Sequence, residues 1–124
     1  MFDFYILITA IVLILIDSIY LTVMGSYFQN QIKKIQSSPL KIRYLGAAIC
    51  YVFLVIGLYY FIIQPRKSVS DAFLFGLVVY GVYETTNYAL LTNWSMFSVI
   101  IDTLWGGVLF ALTTLIINKL KKIF

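Results

Sequence analysis

Histidine is absent from the 124 residues of this chain, and cysteine occurs only once. The usual histidine-containing zinc sites are therefore excluded, and a single cysteine cannot form an intramolecular disulfide. Charge is also scarce, because Asp, Glu, Lys and Arg make up 11% of the residues, less than half of the roughly 25% found in soluble domains. These absences exclude a soluble enzyme and, despite the net charge of +4, a nucleic-acid-binding domain. We predict no metal site and no cofactor.

Apolar residues are what the chain has in excess, at 62% of the total, with 18% aromatic. A membrane-spanning helix needs about 20 mostly apolar residues. Four stretches reach this length, and both prolines fall between them, where a missing N–H interrupts no helix. We predict an all-α integral membrane four-helix bundle that forms a single domain over 1–124, with helices at about 2–24, 44–64, 72–92 and 97–118.

The long connection between the first two segments carries Phe28, Ile32 and Ile35 at helical spacing. This spacing predicts a short interfacial helix over about 26–36 that lies on the membrane. The nine basic residues divide almost evenly between the two faces, so the positive-inside rule selects no orientation. An even number of spans nevertheless predicts a multi-pass protein with both termini on the same side.

Three carboxylates lie well inside the predicted spans, where no Lys or Arg does: Asp17, Glu84 and Asp102. An ionised carboxylate near the bilayer centre costs about 2.5–3.5 kcal/mol on insertion scales. Acids in such positions normally face the bundle interior and mark functional sites. At 1.5 Å rise per residue, all three fall in the same half of the membrane. We therefore expect one acidic cluster inside the bundle.

Polar and aromatic neighbours accompany these acids. Asp17 and Asp102 are each followed three residues later by an amphipathic aromatic, which lies about one turn along the same helix face. On the third predicted helix, Glu84 shares a stripe with a tyrosine and an asparagine. The candidate ligand- or ion-binding residues are Asp17, Tyr20, Tyr80, Glu84, Asn87, Asp102 and Trp105. Small residues allow close helix packing in membranes, and we assign this role to Gly46, Gly57, Gly107 and Ala111.

The same motifs resemble a family of small membrane proteins known as domain of unknown function 2177. The resemblance rests on Asp-x-x-aromatic at 17–20, the run Tyr-Gly-Val-Tyr-Glu-Thr-Thr-Asn at 80–87, and Asp-x-x-Trp-Gly at 102–106. It implies four helices with similar connections, with Trp in the family where this chain has Tyr20, and Asp where it has Glu84. It implies no activity. Proteins of this family usually lie in the bacterial cytoplasmic membrane, and the excess of Ile, Phe and Tyr also fits a viral membrane protein.

Three functions are compatible with these residues. In the first, the acids bind or transport a proton, a cation or a small amphipathic ligand, and transport by so few helices would require a homodimer. In the second, a metal-independent enzyme acts on a lipid or isoprenoid, with one acid as proton donor. In the third, the chain is a structural or partner subunit of a membrane complex. The sequence shows no nucleophile constellation, and we assign no catalytic residue.

Overall fold

The computed structural model describes residues 3–123, which form four helices and no strand. The connections are short, and successive helices run in opposite directions. This arrangement confirms the predicted all-α bundle. The helices are α1 (Phe4–Gln36), α2 (Tyr44–Leu58), α3 (Val69–Leu90) and α4 (Met96–Ile123), and α2 continues as a π-helical turn over Tyr59–Ile63.

Helix α1 is longer than predicted. It begins where the Asp3 carboxylate accepts a hydrogen bond from the Tyr5 N–H at 3.1 Å, and it ends at Ser37, whose N–H donates to the Lys33 carbonyl. Residues 26–36 are helical as predicted, but the separate interfacial helix was wrong, because the α1 hydrogen bonds continue without a break through Gly25. The 33 residues extend about 50 Å, well beyond the roughly 30 Å of a hydrocarbon core.

Three helices are long and apolar enough to cross a membrane within residues 3–123: α1, α2 with its π-helical turn, and α4. Helix α3 overlaps the predicted span at 72–92 and has 22 residues, which is sufficient length. It falls outside the group because Asp71, Glu84 and Asn87 lower its hydropathy.

Helices α3 and α4 approach most closely where glycines face each other. A Cβ added at Gly76 would lie 2.1 Å from the Gly106 carbonyl oxygen, and one added at Gly107 would lie 2.8 Å from the Phe73 ring. Gly76 cannot accept a side chain without separating the helices, because its Cβ would meet backbone, whereas at Gly107 the Phe73 ring would have to move. This contact holds α3 against α4 and fixes the register between them.

The other residues assigned to packing differ in their surroundings. A Cβ added at Gly57 would lie 3.6 Å from the Phe75 ring, which is ordinary contact, and Ala111 is half-buried. Gly46 corrects the prediction, because nothing lies within 4 Å of its Cβ position. The buried residues of α2, Val55 and Leu58, lie in its second half, so its first turns leave Gly46 exposed.

Candidate functional site

Helices α1 and α4 are joined by two hydrogen bonds that exchange partners. The Trp105 indole Nε1–H donates to Asp17 Oδ1 at 2.9 Å, and the Tyr20 hydroxyl donates to Asp102 Oδ1 at 3.0 Å. Each aromatic residue therefore bonds the acid of the opposite helix. The two rings stack between these bonds, with centroids 4.6 Å apart and planes at 3°. We call this arrangement the reciprocal clasp.

The clasp follows from the spacing of the two motifs. An acid and an aromatic three residues on lie on one helix face, and antiparallel helices place the start of one motif opposite the end of the other. Tyrosine and tryptophan suit the position because each has a large apolar ring with a hydrogen-bond donor at its tip. The repeated Asp-x-x-aromatic motif is therefore one device made by two helices.

Asp17 also connects the clasp to α2. Its second oxygen, Oδ2, accepts a hydrogen bond from the Tyr51 hydroxyl at 2.5 Å, and the residue is only 6% exposed. Both oxygens of Asp17 thus have protein donors. A buried acid with both oxygens occupied orients its surroundings and has little capacity left for a ligand.

Glu84 and Asp102 form a different kind of pair. Glu84 is 1% exposed, and its Oε1 accepts a hydrogen bond from the Trp94 indole Nε1–H at 2.8 Å. Its Oε2 is buried without a hydrogen-bond partner among residues 3–123, and Glu84 and Asp102 line one cavity. Two carboxyls can hydrogen-bond only when one carries a proton, because two carboxylates offer acceptors alone and repel.

Two cavities adjoin this pair. The α2-side cavity, of about 390 Å³, lies between α1, α2 and α3 and includes Asp17, Cys50, Leu54, Val79 and Tyr80 in its lining. The loop-side cavity, of about 370 Å³, lies beneath the α1–α2 connection and includes Phe28, Ile32, Leu40, Ile42, Glu84 and Trp94. Both are lined by Tyr20, Leu21, Tyr83 and Asp102. Their volumes fall within the range of small-molecule sites.

A comparison with protein families places this geometry in context. The model of the predicted membrane proteins of DUF2177 matches residues 2–118, which include all three carboxylates and both halves of the clasp. The chain belongs to this family. The comparisons with curated proteins and with solved structures returned no match. DUF2177 membership thus agrees with the apolar spans and with a place in a lipid bilayer.

The structure brings most of the predicted site residues together, but not all of them. The three acids, Tyr20 and Trp105 converge as described. Tyr80 is half-buried against Gly106, where an added Cβ would lie 2.3 Å from its ring, and it lines the α2-side cavity. Asn87 is half-buried and lines neither of these two cavities.

Sequence reasoning did not identify two residues that donate hydrogen bonds to the acids, Trp94 and Tyr51. Trp94 lies in the α3–α4 turn, where an aromatic residue resembles a membrane-interface anchor, yet it is 7% exposed and its indole donates to Glu84. Tyr51 was not selected, although a hydroxyl in the middle of the otherwise apolar α2 is the available signal. Both illustrate that a buried acid needs donors from other segments.

A second polar cluster, also missed, joins the C-terminal part of α1 to the start of α4. The Gln31 Oε1 accepts hydrogen bonds from the Ser95 N–H and the Ser98 hydroxyl, each at 2.9 Å. The Tyr27 hydroxyl lies 2.5 Å from the Ser95 Oγ. Gln31 is only 6% exposed. This cluster holds the C-terminal part of α1 beside the loop-side cavity.

Within residues 3–123, no group of three carboxylate or thiol ligands is arranged to hold a metal ion. The site of the DUF2177 protein is therefore described by its carboxyl groups, its aromatic donors and its two cavities.

Proposed function

We propose that this protein binds a small amphipathic ligand within the membrane, with the cationic or hydroxyl head group of the ligand at the Glu84–Asp102 pair. The observation that supports this most strongly is the position of Asp102, which lines both mainly apolar cavities. Apolar walls with a few convergent polar groups are the usual composition of a small-molecule site. The ligand's apolar part would occupy a cavity and its head group would meet the acids.

The chemistry of the pair favours an amine head group. An isolated carboxylate at this depth costs about 2.5–3.5 kcal/mol, so the empty site is most stable with a proton shared between Glu84 and Asp102. An ammonium group brings its own positive charge and several donors. It would replace the shared proton while both acids keep hydrogen bonds, whereas a carboxylate ligand would add a like charge.

The acid Asp17 has a supporting part in this proposal. Its oxygens already accept bonds from Tyr51 and Trp105, and these bonds hold three helices around the α2-side cavity. Asp17 would therefore shape the cavity and keep Trp105 stacked against Tyr20. Glu84 and Asp102 would make the direct contacts with the ligand.

The proposal includes a four-span topology with both termini on one side of the membrane. Helix α3 lies along α4, and its outer face exposes Leu74, Val78 and Val82 by 54–62%. Such an apolar face is stable against lipid. Glu84, in contrast, is covered by its neighbours. A cysteine-accessibility scan of residues introduced at both ends would test this topology.

A series of twelve-carbon probes tests the ligand class. We would add dodecylamine, dodecanol and dodecanoate to the purified protein in mild detergent and record the thermal unfolding midpoint. Dodecylamine should raise the midpoint most, dodecanol less, and dodecanoate not at all. The Glu84→Gln and Asp102→Asn variants should lose the preference for the amine.

The matched control is Asp71→Asn, which removes an exposed acid at the other end of α3. This variant should keep the full response to dodecylamine. Equal responses to all three probes, or an unchanged amine preference in Glu84→Gln, would contradict the proposal.

Proton or cation exchange is a second candidate, supported by the position of Glu84 and Asp102 in the lining of the same cavity. A proton shared by two acids can leave and return as a cation enters. Protein reconstituted in vesicles that contain a pH-sensitive dye should then carry a proton flux that Glu84→Gln abolishes. Transport by four helices would require a homodimer, which cross-linking in the same vesicles would detect.

A further inference from the structure

The end of the bundle opposite the loop-side cavity carries two adjoining basic clefts. One, of about 290 Å³, is lined by Asp3, Tyr5, Tyr59, Gln64, Arg66 and Lys121. The other, of about 390 Å³, is lined by Arg66, Lys67, Asn118, Lys121 and Lys122. Arg66 and Lys121 belong to both and stand between them. We call the two together the basic clefts; neither contains a residue of the carboxyl site described above.

The backbone at Arg66 is unusual. Its φ of 61° is in the left-handed region, which costs energy for a residue with a Cβ. The Arg66 N–H donates to the Ile63 carbonyl, and the Lys67 N–H donates to the Ile62 carbonyl. This pair of bonds is the Schellman motif that ends the π-helical turn, and its left-handed position is usually occupied by glycine. Helix termination alone would favour glycine here, yet the position carries an arginine, whose side chain lines both clefts.

Positive charge in the basic clefts exceeds the negative charge that faces it. One acid, Asp3, lines them together with four basic residues: Arg66, Lys67, Lys121 and Lys122. The Asp3 carboxylate is also engaged elsewhere, because Oδ2 accepts from the Tyr59 hydroxyl at 2.5 Å and Oδ1 from the Tyr5 N–H. Asp3 keeps its negative charge while it accepts these bonds, so it offsets only one of the four positive charges in the basic clefts.

Lys121 is held in place by groups that do not neutralise it. Its Nζ donates to the Ile63 carbonyl at 3.4 Å and lies 5.2 Å from the centre of the Tyr5 ring. Both contacts are with uncharged groups and orient the ammonium group beside Arg66, and Asp3 is the one acid in the same lining. A fixed ammonium next to a guanidinium matches the oxygens of a phosphate, which accept from both.

We propose that the basic clefts bind the phosphate group of an anionic lipid. Three observations support this class of ligand: the excess of cations, the arginine at a left-handed position, and the location of the clefts at helix ends, where headgroups lie. Clusters of four or more basic residues at such ends attract anionic lipids. The guanidinium of Arg66 would make paired hydrogen bonds to the phosphate, with Lys121 as the second contact.

The test compares lipid nanodiscs of phosphatidylcholine with nanodiscs that also contain phosphatidylglycerol, and uses the thermal unfolding midpoint and native mass spectrometry as readouts. The wild-type protein should unfold at a higher temperature with phosphatidylglycerol and retain it in the mass spectrometer. Arg66→Gly should reduce retention about tenfold. It should also raise the midpoint in phosphatidylcholine, because glycine removes the backbone strain.

A matched control is Lys34→Gln, which removes a basic residue near the other end of the bundle and should leave lipid retention unchanged. Inorganic phosphate in phosphatidylcholine nanodiscs distinguishes the source of the anion: a shift that requires Arg66 would assign the clefts to soluble phosphate instead of lipid and overturn the lipid proposal. Equal retention of phosphatidylglycerol by Arg66→Gly and wild type would also overturn it. Because Arg66→Gly favours the fold, loss of folding cannot imitate loss of binding.

Discussion

Tyr20→Phe tests the reciprocal clasp most cleanly, because it removes one hydroxyl and leaves the ring in place. The hydroxyl donates to Asp102 at 3.0 Å, while the stack on Trp105 needs only the ring. A hydrogen bond to a charged group in a soluble protein contributes about 1.5–3 kcal/mol. Measured bonds within membranes average about 0.6 kcal/mol with a maximum near 1.7. We expect the free energy of unfolding to fall by about 1–2 kcal/mol, near the upper value measured in membranes, since Asp102 is only 9% exposed.

The assay is reversible unfolding in mixed micelles, with a double-mutant cycle of Tyr20→Phe and Asp102→Ala, because alanine removes the acceptor. Their coupling energy should equal most of the single-mutant loss. Tyr60→Phe is the matched control, because Tyr60 is 65% exposed and should change stability by less than about 0.5 kcal/mol. A Tyr20→Phe protein as stable as wild type, with no coupling to Asp102, would refute the clasp as a source of stability.

Three further predictions concern other parts of the bundle. Gly76→Ala should destabilise the protein by about 1–3 kcal/mol, measured by the same unfolding assay, because its Cβ would meet the Gly106 carbonyl at 2.1 Å; unchanged stability would contradict the close approach. Gln31→Leu should leave α1 more open to proteolysis near its C-terminal end, as two hydrogen bonds to the start of α4 are lost; equal cleavage rates would contradict this. The hydrogen bonds from Tyr59 and then from Tyr5 hold the pKa of Asp3 below its ordinary 3.8, so its stabilising contribution is present above pH 3.8 and is lost as the pH falls through the lowered value. The stability difference between wild type and Tyr59→Phe should therefore shrink on acidification, and a constant difference from pH 6 to pH 3 would contradict the assignment.

Composition and apolar run length were enough to predict the helical class and the approximate helix positions. Four helices occur where predicted, because long apolar segments have few other stable structures in a membrane. The ends were less accurate: α1 extends to Gln36 because Tyr27 and Gln31 bond the α3–α4 turn. No local pattern could show that contact, since its partners are more than 60 residues away.

The acids could be selected from the sequence because a carboxylate inside a span is costly enough to need an explanation. The repeated motif also selected Tyr20 and Trp105. Their exchange of partners could not be predicted, because it depends on the antiparallel register of α1 and α4. Trp94 was missed for a similar reason. Its position in a turn resembles that of an interfacial aromatic, and only the return of the chain brings it to Glu84.

The central proposal is that Glu84 and Asp102 share one proton, which a cationic head group replaces. Infrared difference spectroscopy of the protonated carboxyl stretch, recorded on protein in nanodiscs at neutral pH, tests this most directly. The account predicts a protonated-carboxyl band in wild type that decreases when dodecylamine is added and that is missing from Glu84→Gln. A wild-type spectrum without this band, or a band that dodecylamine leaves unchanged, would contradict it.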